Sequence, residues 1–295
     1  MADSSALGSR LSALGSRQTV GGLVEEIARR LPDPTEARDL LAAILDVPRH
    51  WPLLRENEWV EGATWQRACV VADKRAAGAP LAYAVGRSNF RHLTLDVDER
   101  VLIPRPETEL LVELVLARCQ PGGVAADIGT GSGAIALALA TEGKFDRVIA
   151  SDISNDAMDV ARANAQRLGV TNVDFKTADL LSEPTAEGKL RAVVSNPPYI
   201  SFSEITELPA SVRDWEPMVA LVSARDGLET SARLVRQAAP RLEPGGLLAL
   251  EVDARRAALV AELVSSDARY QDVSVHLDLA GRERFVLATR RRATE

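Results

Sequence analysis

Residues 124–141 constrain this fold more than any other stretch. Val124-Ala125-Ala126-Asp127-Ile128 is a short apolar run with a carboxylate near its end. Gly129-Thr130-Gly131-Ser132-Gly133 follows, and residues 134–141 are rich in Ala and Leu. An apolar strand turned by glycines straight into a helix opens a β-α-β unit. Further strand patterns lie at residues 147–151, 173–176, 190–195, 247–252, 273–277 and 284–287. Helical patterns occupy 107–118, 156–168, 228–242 and 254–265. Continuous apolar strands alternating with helices predict an α/β fold with a doubly wound, mostly parallel, seven-stranded sheet. The last two strands flank Gly281 and suit an antiparallel closing hairpin.

The N-terminal part has a different period. Val20, Leu23, Val24, Ile27 and Leu31 share one helical face, and Leu40, Leu41, Ile44 and Leu45 share another. Asp33-Pro34-Thr35-Glu36 predicts a capped start for the second helix, with Glu36 closing a capping box. Trp51, Trp59 and Trp65 are expected to serve packing. Phe90, then Leu93, Leu95 and Val97 at alternate positions, with Val101-Leu102-Ile103 beyond, predict two short strands in a hairpin. The expected organisation is a disordered extension over 1–18 and a small helical N-terminal domain over 19–88. A hairpin linker follows over 89–105, the α/β domain over 106–291 and a tail over 292–295.

Composition narrows the function. Of 295 residues, 35 are Lys or Arg and 42 are Asp or Glu, a formal net charge of −7. That argues against affinity built on a basic nucleic-acid footprint. Cys69 and Cys119 form no CxxC pair, as expected of a reduced, cytoplasmic protein, and three scattered histidines give no metal-site spacing. No apolar run is long enough to span a membrane. The hexapeptide Ser-Ala-Leu-Gly-Ser-Arg occurs at 5–10 and again at 12–17. It lacks the apolar core of a secretory signal, and a disordered extension is preferred to a mitochondrial transit peptide.

The glycine loop is ambiguous alone. It satisfies the dinucleotide pattern G-x-G-x-x-A, and Asp152 stands about 20 positions on, where either a nicotinamide cofactor or S-adenosylmethionine would need an acid for its ribose. Asp127 favours the second, because a carboxylate suits a methionine ammonium better than a pyrophosphate; its alternative is to cap its own loop. Asp179 either accepts from an adenine amino group or caps a helix before Leu180-Leu181.

Ser195-Asn196-Pro197-Pro198-Tyr199-Ile200 decides between them. Two prolines after a buried strand end its ladder. The Asn196 side-chain oxygen and the Pro197 carbonyl are placed to hold both N–H groups of a planar amide or amine, and Tyr199 offers a stacking face. Such a nitrogen is a weak nucleophile, so alignment rather than a strong base carries the rate.

Asp127 to Gly133 together with Asn196-Pro197-Pro198-Tyr199 resemble the class I S-adenosylmethionine-dependent amino-methyltransferases. Pro80-Leu81-Ala82-Tyr83, Gly86, Phe90 and Leu102-Ile103-Pro104-Arg105-Pro106-Glu107-Thr108-Glu109 narrow the resemblance to the release factor glutamine methyltransferase family (HemK/PrmC), over about residues 20–290. The resemblance implies methyl transfer from S-adenosylmethionine, released as S-adenosylhomocysteine, to the amide of the GGQ glutamine of class-1 release factors. Gly129, Thr130, Gly131, Ser132, Gly133, Asp152, Asp179 and Leu180 would then hold the cofactor. Asn196, Pro197, Pro198 and Tyr199 would bind the amide, buttressed by Arg105 and Glu107. The helical domain would recognise the substrate, and a monomer needing neither nucleic acid nor membrane is expected. A nucleic-acid amino-methyltransferase is the alternative that the Asn-Pro-Pro-Tyr motif permits. Val222-Ser223-Ala224-Arg225 departs from the family's glycine-rich loop.

Overall fold

A computed structural model describes residues 18–182 and 190–292. The duplicated hexapeptide and nearly all of the expected extension and tail lie outside the described residues. The chain divides into two compact units, Met1–Gly86 and Arg87–Glu295.

In the first unit the main helices are α1 (Val20–Arg30), α2 (Ala37–Leu45) and α3 (Gly62–Ala76). Thr19 caps α1 by accepting from the Gly22 amide at 3.2 Å. Leu23, Ile27, Leu40 and Leu41 are almost fully buried and form the unit's centre. Asp33 accepts from Thr35, as a cap should, but it opens a single 3-10 turn. Glu36 does not close a capping box. Its carboxylate takes two charge-assisted bonds from Arg75 on α3, at 2.8 and 3.0 Å, which outcompete one neutral amide. Trp59 also departs from expectation: its side chain is 71% exposed, while its backbone bridges to Thr19.

The second unit opens with the antiparallel pair β1 (Arg87–Phe90) and β2 (Leu93–Asp96). The hairpin is therefore tighter and earlier than expected. Arg91 takes φ 52° in its two-residue turn. Residues 101–103 form no strand; the Val101 amide donates to the Asp98 carbonyl at 3.1 Å and closes a turn there. The hairpin also groups with the second unit instead of standing as a separate linker.

The remaining strands and longer α-helices mostly alternate. They are α4 (Pro106–Arg118), β3 (Val124–Ile128), α5 (Ala134–Glu142), β4 (Arg147–Asp152), α6 (Asn155–Leu168), β5 (Val173–Thr177), β6 (Leu190–Ser195), α7 (Glu229–Arg241), β7 (Leu242–Glu251), α8 (Ala257–Ser265), β8 (Tyr270–Leu277) and β9 (Glu283–Arg290). The seven-stranded sheet runs β5-β4-β3-β6-β7-β9-β8. Its first five strands are parallel; β9 pairs antiparallel with both β7 and β8. The doubly wound, mostly parallel sheet and its closing hairpin are thus as expected. Val193, Leu248, Leu250 and Val286 from the sheet pack with Leu234 and Val235 of α7 and Val260 of α8. Strand order reverses between β3 and β6, which opens a crevice at their carboxyl ends.

Asn164, fully buried on α6, ties the hairpin to the glycine loop. Its Oδ1 accepts from the Asp96 amide at 2.7 Å, and its Nδ2 donates to the carbonyls of Asp96 and Ser132. Asn164→Ala leaves three buried backbone groups short of a partner and should cost about 2–3 kcal/mol. Urea unfolding checks this; an unchanged midpoint would show that other contacts hold the hairpin.

Candidate active site

The register of β3 and β6 sets the site. Ile128 pairs with Ser195, so the residues that leave the two strands, Gly129 and Asn196, emerge side by side. The Ser195 hydroxyl donates to the Ile128 carbonyl at 2.6 Å and clamps the strand ends together. Gly129 and Thr130 amides both donate to the Ser151 carbonyl, turning the loop over β4. Asp152 then receives the Gly131 amide at 2.9 Å and the Ser154 amide at 3.0 Å. Burial raises the Asp152 carboxyl, against the pull of these amides.

Three cavities meet here. One of about 230 Å³ lies over the loop, walled by Gly129, Gly131, Asp152, Asp179, Leu180, Asn196 and Pro198 among others. A small one of about 50 Å³ touches Thr130, Ser132, Thr108 and Asn196. A third, of about 180 Å³, is walled by Arg105, Asn196, Tyr199, Leu208 and Val212. Asn196 and Leu102 line all three. Asn196 therefore stands where a cavity over the glycine loop meets a second cavity bordered by Tyr199.

Several expected site residues sit elsewhere. Asp127 is wholly buried behind the loop and borders none of these cavities. Its Oδ2 accepts from the Thr130 hydroxyl at 2.6 Å and the Ala136 amide at 3.0 Å, so it braces the loop against α5. Its Oδ1 is buried with no partner, and burial pushes its carboxyl up to about 7. Gly133 is the N-cap of α5, and Pro197 is buried; neither lines a cavity. Glu107 turns away toward Arg282 and Arg284, at 3.4 and 3.9 Å. Asp179 lines the large cavity but is already paired with Arg233 at 2.6 Å.

Arg105 borders the third cavity and holds Glu216 at 2.6 and 2.7 Å. Glu216 has a side chain only 1% exposed, and its burial raises its carboxyl despite Arg105. The Tyr199 hydroxyl is also raised, first by burial and then by the charge of Glu251, which keeps the phenol neutral.

The comparisons with known proteins agree with this geometry. Residues 106–208 match the family model "Methyltransferase small domain", and residues 28–86 match "PrmC N-terminal domain". A release factor glutamine methyltransferase of Moorella thermoacetica is 42% identical over 93% of this chain and 98% of its own length. One from Gloeobacter violaceus is 41% identical over 86% of this chain and 90% of its own. The chain belongs to the release factor glutamine methyltransferase family. A solved methyltransferase of Pyrococcus furiosus shares the fold at 22% identity, with a TM-score of 0.52 over 67% of this chain and 88% of that one.

The loop after Leu221 packs beside Tyr199 and Ile200, and its Val222 lines the first cavity. Val222 bridges to Ile200, and the Ser223 amide donates to the Ile200 carbonyl at 2.9 Å. Arg225, Asp226 and Gly227 all take left-handed φ, and Arg256, 6% exposed, donates to the Asp226 carbonyl and pairs with Glu204 and Asp253. Sequence reasoning passed over Arg256 and Arg233, since isolated charges carry no motif. It also assigned no role to Glu251. A carboxylate closing the apolar run Leu247 to Leu250 was the signal for Glu251, as it was for Asp127.

Gly227 makes the loop possible. Its φ is +85°, and a Cβ there would fall 1.9 Å from the Tyr199 carbonyl oxygen. Gly227→Ala should displace Tyr199 and lower methyl transfer at least tenfold, at an order-of-magnitude level. Circular dichroism should show the sheet intact; unaltered turnover would mean that the Tyr199 backbone tolerates the shift.

Proposed function

We propose that this protein transfers a methyl group from S-adenosylmethionine to the side-chain amide nitrogen of the GGQ glutamine of class-1 peptide chain release factors. The single observation that carries the reading is the position of Asn196, at the junction of a cavity over the glycine loop and a cavity beside Tyr199. The relatives' name supports a release-factor glutamine over the nucleic-acid alternative.

The first cavity fits the cofactor. A Cβ at Gly129 or Gly131 would meet nothing within 4 Å, so the backbone there is open to close approach. Asp152 offers a carboxylate on the same wall. The unpartnered Asp127 Oδ1 places negative charge behind the loop, which suits a cationic ligand. When bound, S-adenosylmethionine supplies an electrophilic methyl on a positive sulfur.

The chain's own residues supply alignment. Asn196 Nδ2 donates to Thr108 Oγ1 at 3.3 Å, which leaves Oδ1 as the acceptor for an amide N–H. Tyr199, on the wall of the cavity beside Asn196, stacks on the amide plane. The amide nitrogen gains the methyl and gives up one proton, so no strong base is needed beforehand. The apolar wall of Leu208 and Val212 keeps water from the glutamine stem.

Labelled S-adenosylmethionine and a class-1 release factor test the reading, beside the release factor in which the GGQ glutamine is alanine. Label should enter the first and not the second; equal labelling would sink the proposal. Asn196→Ala should raise the transfer barrier by about 2–4 kcal/mol, the value of one preorganised polar contact. Cofactor affinity, measured by calorimetry, should fall much less, and undiminished turnover would remove Asn196 from the mechanism.

A further inference from the structure

We infer that Glu251, acting through Thr108, fixes which end of the Asn196 amide faces the acceptor, and is a positioning residue for transfer. The inference rests on the function proposed above. An asparagine amide has two ends of similar size and opposite hydrogen-bonding sense. The oxygen end accepts from a glutamine amide N–H. The NH2 end would set donor against donor. Binding Asn196 Nδ2 to Thr108 Oγ1 at 3.3 Å selects the oxygen end.

A threonine hydroxyl cannot make that selection alone. It can accept from Nδ2, or donate to Oδ1 and hold the amide the other way round. Glu251 removes the ambiguity. It closes β7, is 1% exposed, and is a side-chain hydrogen-bond partner of Thr108. It lines none of the three cavities, so it reaches Asn196 through Thr108. An ionised carboxylate only accepts. It commits the one Thr108 hydrogen to itself and leaves Thr108 only lone pairs to offer Asn196. The chain of bonds also polarises the amide and strengthens Oδ1 as an acceptor. A protonated Glu251 would instead donate to Thr108, free the hydroxyl hydrogen for Oδ1 and turn the amide round.

The charges around Glu251 come from several elements. Arg105 and Arg284 favour its ionised form, while Glu107 and above all burial oppose it. Tyr199 lies in the same field and is kept neutral by it. Glu251 Oε2 and Arg284 Nε are both buried without a hydrogen-bond partner. The balance leaves Glu251 at about 7. The sign follows: the productive amide orientation is held above that pH and lost as pH falls through it.

The test uses the full chain, a class-1 release factor and saturating S-adenosylmethionine, with single-turnover transfer rates followed from about pH 6 to 9. Saturation matters because Asp127 titrates in the same range and faces the glycine loop. The wild-type rate should rise through an apparent pKa near 7. Glu251→Gln, an isostere of the protonated acid whose NH2 can donate to Thr108, should lose this limb and stay near the low-pH rate throughout. Thr108→Val should lower the rate by about 30-fold or more with cofactor affinity unchanged, and Thr108→Ser should restore both rate and limb. Should Glu251→Gln fail to fold, the Val and Ser pair at position 108 decides alone. A wild-type limb retained in Glu251→Gln, or a wild-type rate in Thr108→Val, overturns the relay while the proposed function stands. A wild type that transfers nothing to the glutamine overturns both.

Discussion

The site depends on β3 and β6 lying side by side although β4 and β5 separate them in sequence. Parallel pairing brings Ile128 level with Ser195, and the Ser195 hydroxyl fastens the two strand ends at 2.6 Å. Beyond that bond neither chain can continue the ladder. On one side Gly129 turns away with positive φ; on the other Pro197 and Pro198 have no amide to offer. Asn196 is thus delivered beside the glycine loop by backbone geometry alone. A catalytic group so held meets its ligand without reorganising, which matters when alignment supplies most of the rate.

The segments that follow Tyr199 are held differently, by charges partly taken out of water. Arg105 with Glu216, and Arg256 with Glu204, join segments distant in sequence, while Asp253 holds Arg256 from three residues away. Burial alone would raise Glu204, but the Ser201 amide and Arg256 and Arg255 bring it down to about 2. Such buried pairs add little net stability. Their value here is positional: hydrophobic replacements would fill the same volume without dictating where the loop carrying Gly227 must pass against Tyr199.

The fold was largely legible because its signals are local. Period-two and period-3.6 apolar patterns marked the strands and long helices within a few residues, and Gly281 marked the closing hairpin. Errors arose where a long-range partner won. Glu36 was drawn to Arg75, across 39 positions, away from its own helix start. The hairpin strands shortened because Arg91 accepted a left-handed turn that no sequence rule assigns to arginine. In the site, the glycine loop, Asp152 and Asn196 were legible as motifs. Glu107 was misplaced because, within a helix's first turn, inward and outward faces differ by a single residue: Thr108 points in and Glu107 points out. Glu251 had no motif at all, and only the pairing of β7 with β6 brings it behind Asn196.

Two buried acids stand near the ends of the two strands that flank β6, and both sit near 7: Asp127 on β3 and Glu251 on β7. Each binds a proton more tightly folded than unfolded. Between the unfolded value near 4 and the folded value, stability falls as pH rises, and above the folded value the full penalty stands. That penalty is of the order of a few kcal/mol for each acid. Apolar residues at both positions would make a more stable sheet, so the acids persist for what they hold. Asp127 spends one oxygen bracing the loop and keeps the other unpaired; a cationic ligand on the far side of the loop would favour its ionised form. By linkage, that same ionisation strengthens the ligand's binding. Glu251 has no ligand to relieve it. Its ionisation is opposed by burial and Glu107 and favoured by Thr108, Arg105 and Arg284, so the cost stays with the folded chain, and the orientation it imposes on Asn196 lasts while it is ionised.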